Sequence, residues 1–207
     1  MAQSVAIFLL QAAGISLSGV LAPGPVTAAT LAAGSRNRHA GAWIAVGHGI
    51  VEFPLMVLIM AGAGAVLTAK AFRIGVGLAG GGVLLLMAGL LLWGMRRKDS
   101  RETPSGVANP VWAGIALTAG NPYFLLWWAT AGLALATRAM DLGVLAFGLF
   151  AAVHWVCDLM WLEILSLASH RGVSLLGRRS RQALVVLCSV AMAAFGGMFL
   201  LDAVRSL

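Results

Sequence analysis

The sequence predicts an all-α integral membrane protein whose six transmembrane helices form two inverted three-helix repeats. Its 207 residues are 60% hydrophobic and only 10% charged, whereas soluble domains carry about 25% charged residues. The apolar residues fall into six segments, each long enough for the roughly 20 residues that a helix needs to cross a bilayer. Prolines interrupt the first and the fourth of these segments. We expect residues 1–207 to form a single membrane domain.

The six predicted segments follow one another with short polar breaks between them. They cover residues 4–34, 41–68, 72–95, 107–136, 142–169 and 182–204. The first and the fourth are longer than one span requires, as expected of helices that are broken partway. The two predicted repeats, about 1–98 and 107–207, are joined by a basic loop at about 96–106.

The basic residues between the segments predict how the helices cross the membrane. Ten of the fourteen lysines and arginines fall in loops one, three and five. Because these residues are enriched in short cytoplasmic loops, we expect loops one, three and five in the cytoplasm and both termini outside. The two repeats then run in opposite senses. The expected location is the cell membrane, which is the inner membrane in a cell that has two.

Two proline breaks lie at matching positions of the predicted repeats. The first segment contains Pro23-Gly24-Pro25, and the fourth contains Asn121-Pro122. A proline inside a helix removes one N–H group and clashes with the carbonyl four residues earlier, which predicts free carbonyls at Gly19, Leu21 and Thr118. Irregular backbone survives at membrane depth only inside protein or beside a wet cavity. Paired breaks of this kind are the best sequence pointer to a transporter's binding site.

Each break is expected to start a new half-helix near the middle of the membrane. The first N–H groups of a helix are unpaired and its dipole is positive there, so such an end binds anions, including carboxylates. The predicted substrate-binding residues are therefore Pro23, Gly24, Pro25, Thr27, Asn121 and Pro122.

Two histidine–acid pairs lie in the second and fifth segments. His48 precedes Glu52, and His154 precedes Asp158, by four residues, which places each pair on one helix face. Ionisable groups inside the membrane are rare and usually functional. One interpretation is structural, with each histidine bonded to the acid one turn away. The other is that the four residues carry protons or ions at a shared site, since histidine changes charge near neutral pH.

A cavity between a helix N-terminus and these carboxylates suits a zwitterion, of which an amino acid is the simplest. Export coupled to inward proton movement follows as a hypothesis. Three further features have structural interpretations. Gly77 and Gly81 have the spacing of a close helix contact, and Glu163 is expected to pair with a loop arginine. The aromatic group Tyr123, Trp127 and Trp128 is compatible with a membrane-interface belt or with a cavity wall.

At these positions the sequence resembles the lysine exporter (LysE/RhtB) family of small six-helix transporters. The match lies in Gly19-x-x-x-Pro23-Gly24-Pro25, in Asn121-Pro122, in the small size and in the basic third loop, and it covers essentially the whole chain. The resemblance implies export of amino acids or related small metabolites, driven by the proton-motive force. Two features depart from the family pattern, namely Tyr123, where lysine is frequent, and the two histidine–acid pairs. Both bear on the substrate more than on the fold.

The chief alternative function is export of a divalent metal cation. Two imidazoles and two carboxylates form a ligand set suited to Zn, Ni, Co or Mn, supplied by His48, Glu52, His154 and Asp158. This hypothesis requires the two pairs to face each other, and the sequence has no histidine-rich loop that would load a metal. A metal ion enters only under this alternative, and otherwise no cofactor is expected.

Two other classes of function are disfavoured. A membrane metalloprotease helix needs two histidines at i and i+4 with an acid beside the first, whereas here the acid takes the second place. Nucleic-acid binding would need a basic stripe with interleaved aromatic residues, which the sequence lacks. The expected partners are a small-molecule substrate and the lipid bilayer, and the sequence is also compatible with a homodimer.

Overall fold

The chain folds as a bundle of helices in the computed structural model, which describes residues 2–96, 109–175 and 178–206. Every regular element within these ranges is helical, which confirms the predicted fold class. Most of the basic loop at 96–106 lies outside the described residues, including Arg97, Lys98 and Arg101. The α-helices are α1 Ala2–Val20, α2 Pro25–Gly34, α3 Ala40–Leu58, α4 Gly64–Thr68, α5 Lys70–Arg96, α6 Pro110–Ala119, α7 Pro122–Trp127, α8 Leu133–Asp141, α9 Val144–Leu175 and α10 Arg178–Ser206.

Four helical stretches of the described chain are long and apolar enough to cross a membrane by themselves. They are Ala40–Thr68, Lys70–Trp93, Val144–Gly172 and Val185–Ser206. A fifth span results if α1 and α2, which bend by 79° at their break, are counted together. The predicted fourth segment is divided among α6, α7, α8 and a π-helical turn. None of these pieces spans a membrane alone, so the count of six stays a prediction.

Both predicted proline breaks are present. α1 ends at Val20 and α2 begins at Pro25, while α6 ends at Ala119 and α7 begins at Pro122. Each new helix has proline at its first position, where the missing N–H would be unpaired anyway and the fixed φ suits the helix. The prolines therefore end one helix and start the next, and they do not merely kink a continuous one.

The prediction of free carbonyls at these breaks is wrong for two of the three groups. Ala22 N donates to the Gly19 carbonyl at 3.2 Å, and Asn121 N donates to the Thr118 carbonyl at 3.1 Å. Both bonds span three residues, so a tight final turn replaces the bond that the proline removes. These backbone oxygens are therefore satisfied within the chain.

Two π-helical turns continue interrupted helices. Ile59–Ala63 joins α3 to α4, and Trp128–Gly132 joins α7 to α8. The first contains Gly62, whose φ of 98° is a conformation that glycine adopts at little cost. The second begins at Trp128, directly after Trp127 at the end of α7.

Close glycine contacts hold the helices that surround the buried polar residues. A Cβ on Gly47 of α3 would overlap the Val111 carbonyl of α6, and one on Gly114 of α6 would overlap the Ile44 carbonyl of α3. Likewise, Gly41 lies directly against the backbone of Leu162 in α9. Because a side chain at these points would separate the backbones, glycine brings α3 into contact with both α6 and α9.

The predicted contact through Gly77 and Gly81 is confirmed. A Cβ on Gly77 would lie 2.9 Å from the Ala203 methyl of α10, and one on Gly81 would lie 2.8 Å from the Gly196 carbonyl. α5 and α10 pack along their lengths.

Candidate functional site

Glu52 of α3 lies at the centre of a buried polar cluster. Its side chain is completely buried, and its Oε1 lies 3.2 Å from His48 Nε2 and 3.1 Å from His154 Nε2. The indole N–H of Trp128 donates to the same oxygen, with 3.2 Å between the heavy atoms. The two histidine–acid pairs therefore form one cluster, joined through Glu52, and they are not two separate structural pairs.

Asp158 of α9 completes the cluster at ion-pair distances. Its Oδ1 lies 3.8 Å from His48 Nε2, and its Oδ2 lies 3.6 Å from His154 Nε2, which is longer than a hydrogen bond. Among the described residues, neither Asp158 Oδ2 nor Glu52 Oε2 has a hydrogen-bond partner, and both atoms are buried. An unpaired buried carboxylate oxygen is costly, so these two atoms are candidate acceptors for hydrogen bonds from a ligand.

A hydroxyl group holds the other nitrogen of each histidine. Thr118 Oγ1 of α6 lies 2.8 Å from His48 Nδ1, and Ser16 Oγ of α1 lies 2.7 Å from His154 Nδ1. With Glu52 ionised, each neutral ring donates from Nε2 and accepts a bond from the hydroxyl at Nδ1, a tautomer assigned from the hydrogen-bond network. When a ring takes up a second proton at Nδ1, the hydrogen bond to the hydroxyl changes direction, so that Nδ1 donates and the hydroxyl oxygen accepts. Each histidine can therefore gain or lose a proton without moving.

The cluster forms one wall of a cavity with a free volume of about 80 Å³. The proline break of the first span, part of α7 and apolar side chains from α5, α9 and α10 form the rest. Five of the six predicted substrate-binding residues line this cavity together with all four cluster residues; the five are Pro23, Gly24, Pro25, Thr27 and Asn121. The proline break and the histidine–acid pairs thus belong to one site.

α2 presents an open N-terminus to this cavity. Gly24 precedes the helix and supplies no side-chain cap, and the first backbone bond of the helix runs from Ala28 N to the Gly24 carbonyl at 2.9 Å. The N–H groups of Val26 and Thr27 come before that bond and have no partner within the helix. This end of α2 is therefore a donor site with a positive dipole.

α7 differs from α2 in this respect. The Asn121 side chain caps it, because its Oδ1 accepts from Tyr123 N at 3.1 Å, and the helix is only six residues long. The sequence predicted equivalent anion-binding ends at both breaks. The structure gives the open end to α2 and commits the Asn121 oxygen to capping.

The LysE type translocator family model matches residues 17–203. The chain belongs to this family. Searches of curated proteins and of solved structures found no significant match. The family match covers both proline breaks and all four cluster residues, and it confirms the resemblance seen in the sequence. The protein is therefore an integral membrane protein that exports small molecules across the bilayer.

In this LysE type translocator the clustered aromatic residues are cavity walls. Tyr123, Trp127 and Trp128 all line the cavity. The Trp127 ring stacks on the His154 ring, with centroids 4.9 Å apart and planes 20° apart. Trp128 meets the same histidine edge-on at 5.3 Å. The two tryptophans therefore enclose His154 from two sides, and the cavity-wall interpretation is the one that the structure supports.

Two residues that the sequence analysis singled out lie elsewhere in the translocator. Pro122 packs against Gly80 of α5, where a Cβ would overlap the proline ring. Glu163 contacts His39 Nδ1 and accepts from Ala42 N at 3.0 Å. Glu163 therefore joins α9 to the start of α3, a structural role as expected, with a histidine in contact where an arginine was predicted.

Two cluster contacts were not expected from the sequence. A serine in an apolar helix usually bonds its own backbone, so nothing singled out Ser16 as the partner of His154. Trp128 was noted only as an aromatic residue, yet it donates to Glu52. Both contacts depend on how distant helices meet, which single-sequence patterns do not encode.

The cluster also contains the residues that could hold a metal ion in this translocator. Ligand atoms of His48, Glu52 and Asp158 lie within 4.8 Å of one another, and His154 Nε2 lies 3.1 Å from Glu52 and 3.6 Å from Asp158. Donors bound tetrahedrally at about 2.0–2.1 Å from zinc are separated by roughly 3.3 Å. The donor set and its hydroxyl-held histidines thus fit a divalent ion.

Proposed function

We propose that this translocator exports amino acids or closely related zwitterionic metabolites in exchange for protons. The observation that carries the proposal is that one cavity is lined both by the open N-terminus of α2 and by Glu52 and Asp158, each of which has a buried carboxylate oxygen without a described hydrogen-bond partner. The helix N-terminus attracts a carboxylate. The carboxylate oxygens attract an ammonium group.

The negative side of the cavity favours a cationic group for a specific reason. Glu52 Oε1 already accepts from three donors, so its Oε2 and Asp158 Oδ2 are the oxygens that stay available. Both lie in a nearly dry wall, since the Glu52 side chain is 0% and the Asp158 side chain 10% exposed. A substrate ammonium with three N–H donors can satisfy both oxygens.

Proton coupling follows from competition for the same negative charge. The cluster carries two negative charges when both acids are ionised and both histidines are neutral, and protons on the two histidines cancel them. A substrate ammonium cancels one of the same two charges. Binding of protons and binding of the ammonium therefore oppose each other, which is the requirement for exchange across the membrane. Both histidines face Glu52 and Asp158. His48 also faces the Thr118 hydroxyl and the Phe124 ring, and His154 faces the Ser16 hydroxyl and the Trp127 ring.

A thermal-shift panel on the detergent-purified protein tests the substrate class. We expect some of the twenty amino acids to raise the melting temperature, because a ligand at 100 times its dissociation constant adds about 2.7 kcal/mol to the free energy of unfolding. The stabilising amino acid is then loaded into proteoliposomes, and its efflux should accelerate when the external pH is lowered. Efflux that is independent of the proton gradient would contradict the coupling.

A second candidate function is export of a divalent metal cation, favoured by the spacing of the four donor residues. Zn, Ni, Co, Mn and Cd belong in the same thermal-shift panel. If a metal stabilises the protein, if that effect disappears in both Glu52→Gln and His154→Ala, and if every amino acid is inert, this candidate replaces the first. Stabilisation by amino acids with the metals inert excludes it.

A further inference from the structure

The indole N–H of Trp127 is a buried donor that lacks a hydrogen-bond partner among the described residues. Such a donor loses its water on folding and gains nothing in return, so it is costly unless a ligand satisfies it. Trp127 lines the cavity, whereas the cavity-lining Trp128 uses its N–H to bind Glu52. The proposed mechanism assigns no role to the Trp127 donor.

The N–H edge of Trp127 lies against Gly19, next to the last residue of α1. A Cβ placed on Gly19, near the end of α1, would lie 2.8 Å from Trp127 Nε1. Gly19 and the start of α2 line the same cavity. The donor therefore lies beside the end of α1, in a cavity that the start of α2 also lines. Glycine at position 19 gives the indole the space to approach the break.

The ring is held in this orientation from its other sides. It stacks on His154 with centroids 4.9 Å apart, and it meets Trp128 at 5.4 Å with the planes 84° apart. His154 belongs to the polar cluster, and Trp128 donates to Glu52 of that cluster. The face of the Trp127 ring thus lies on His154, and its N–H edge lies against Gly19 of α1.

We propose that Trp127 Nε1 donates a hydrogen bond to the substrate carboxylate, which the N–H groups at the start of α2 bind as well. The inference rests on the proposed function, because it requires a substrate that carries a carboxylate. A carboxylate has two oxygens and accepts several donors at once. One oxygen is bound by the amides of Val26 and Thr27 and the other by the indole.

This contact distinguishes amino acids from simple amines. An amine satisfies Glu52 and Asp158 but leaves both the indole and the amides of α2 without an acceptor. A site whose polar groups stay unpaired rejects such an analogue strongly. Trp127 is therefore a binding residue that sets specificity for the carboxylate.

L-leucine and isoamylamine are suitable probes because they differ only in the carboxylate. The remaining cavity wall is apolar, which suits an aliphatic side chain; it includes Leu84, Phe124, Leu162, Met192 and Phe195. Binding of both compounds is measured by titration calorimetry on wild type, Trp127→Phe and Trp161→Phe. Trp161 is the matched control, since its N–H is also buried without a described partner but it does not line the cavity.

We expect Trp127→Phe to bind L-leucine about 10- to 100-fold more weakly than wild type, the effect of one lost hydrogen bond to a charged group. Its affinity for isoamylamine and that of Trp161→Phe for either compound should not change. Gly19→Ala, which displaces the indole edge and keeps the indole, should show the same selective loss. This second variant serves if Trp127→Phe folds poorly.

Three results would overturn the inference. Equal L-leucine affinity in wild type and Trp127→Phe would show that Trp127 does not donate to the substrate carboxylate. An equal loss for L-leucine and isoamylamine makes Trp127 a shape-determining residue only. If no amino acid stabilises wild type in the thermal-shift panel, the proposed function itself fails and takes this inference with it.

Discussion

At the scale of single residues, the site depends on how many donors one carboxylate oxygen can satisfy. Glu52 Oε1 accepts from two histidines and one tryptophan. This concentration of donors fixes the carboxylate and leaves Oε2 without a partner. Because the side chain is fully buried, the fixed charge is weakly screened and acts strongly on whatever enters the cavity.

Replacing Glu52 by glutamine tests this view. The amide keeps the shape but loses the charge, and a hydrogen bond to a charged group contributes about 1.5–3 kcal/mol. We expect Glu52→Gln to bind the stabilising amino acid about 10- to 100-fold more weakly in titration calorimetry. Asp202→Asn is the control, since that carboxylate is 74% exposed and only loosely paired with Arg73. Unchanged affinity in Glu52→Gln would show that the charge of Glu52 does not contribute to substrate binding.

At the scale of secondary structure, prolines and glycines decide where the helices break and meet. Both breaks were predictable because proline disfavours a helix interior, although Pro54 lies within α3 without ending it. The glycine spacing predicted a close helix contact of α5, but not that its partner is α10. The difference between the two breaks was not predictable. It depends on whether the Asn121 side chain turns back to cap its own helix, and the mere presence of asparagine does not decide that.

Buried and open glycines should respond differently to alanine. In Gly114→Ala the new methyl would overlap the Ile44 carbonyl of α3, and overpacking of this kind costs about 1–3 kcal/mol. We expect a lower melting temperature in detergent for this variant. Gly82→Ala, on a helix surface with no atom within 4 Å, is the matched control and should melt like wild type. Equal melting of both variants would show that α3 and α6 are not packed as described.

At the scale of the whole molecule, the predicted repeats are linked by crossed contacts. Ser16 of the first repeat holds His154 of the second, and Thr118 of the second holds His48 of the first. The sequence could place each histidine beside its own acid, but these contacts require the positions of whole helices. Any movement of one repeat against the other therefore changes the surroundings of both histidines, as alternating access requires.

The membrane orientation is a prediction of the same scale. In a background with Cys157→Ser and Cys188→Ser, we expect Asp141→Cys to react with an impermeant maleimide on intact cells. Arg36→Cys should react only after permeabilisation, because loop one is expected in the cytoplasm. The opposite pattern would invert the predicted topology and leave the site unchanged.

We expect substrate and protons to compete for the charge of Glu52 and Asp158. The most direct test is proton release from the purified protein in weak buffer with a pH indicator, upon addition of the amino acid that stabilises it. The account predicts that substrate binding releases protons, and that Glu52→Gln at saturating substrate releases fewer. Substrate binding without proton release, or release that is unchanged in Glu52→Gln, would contradict it.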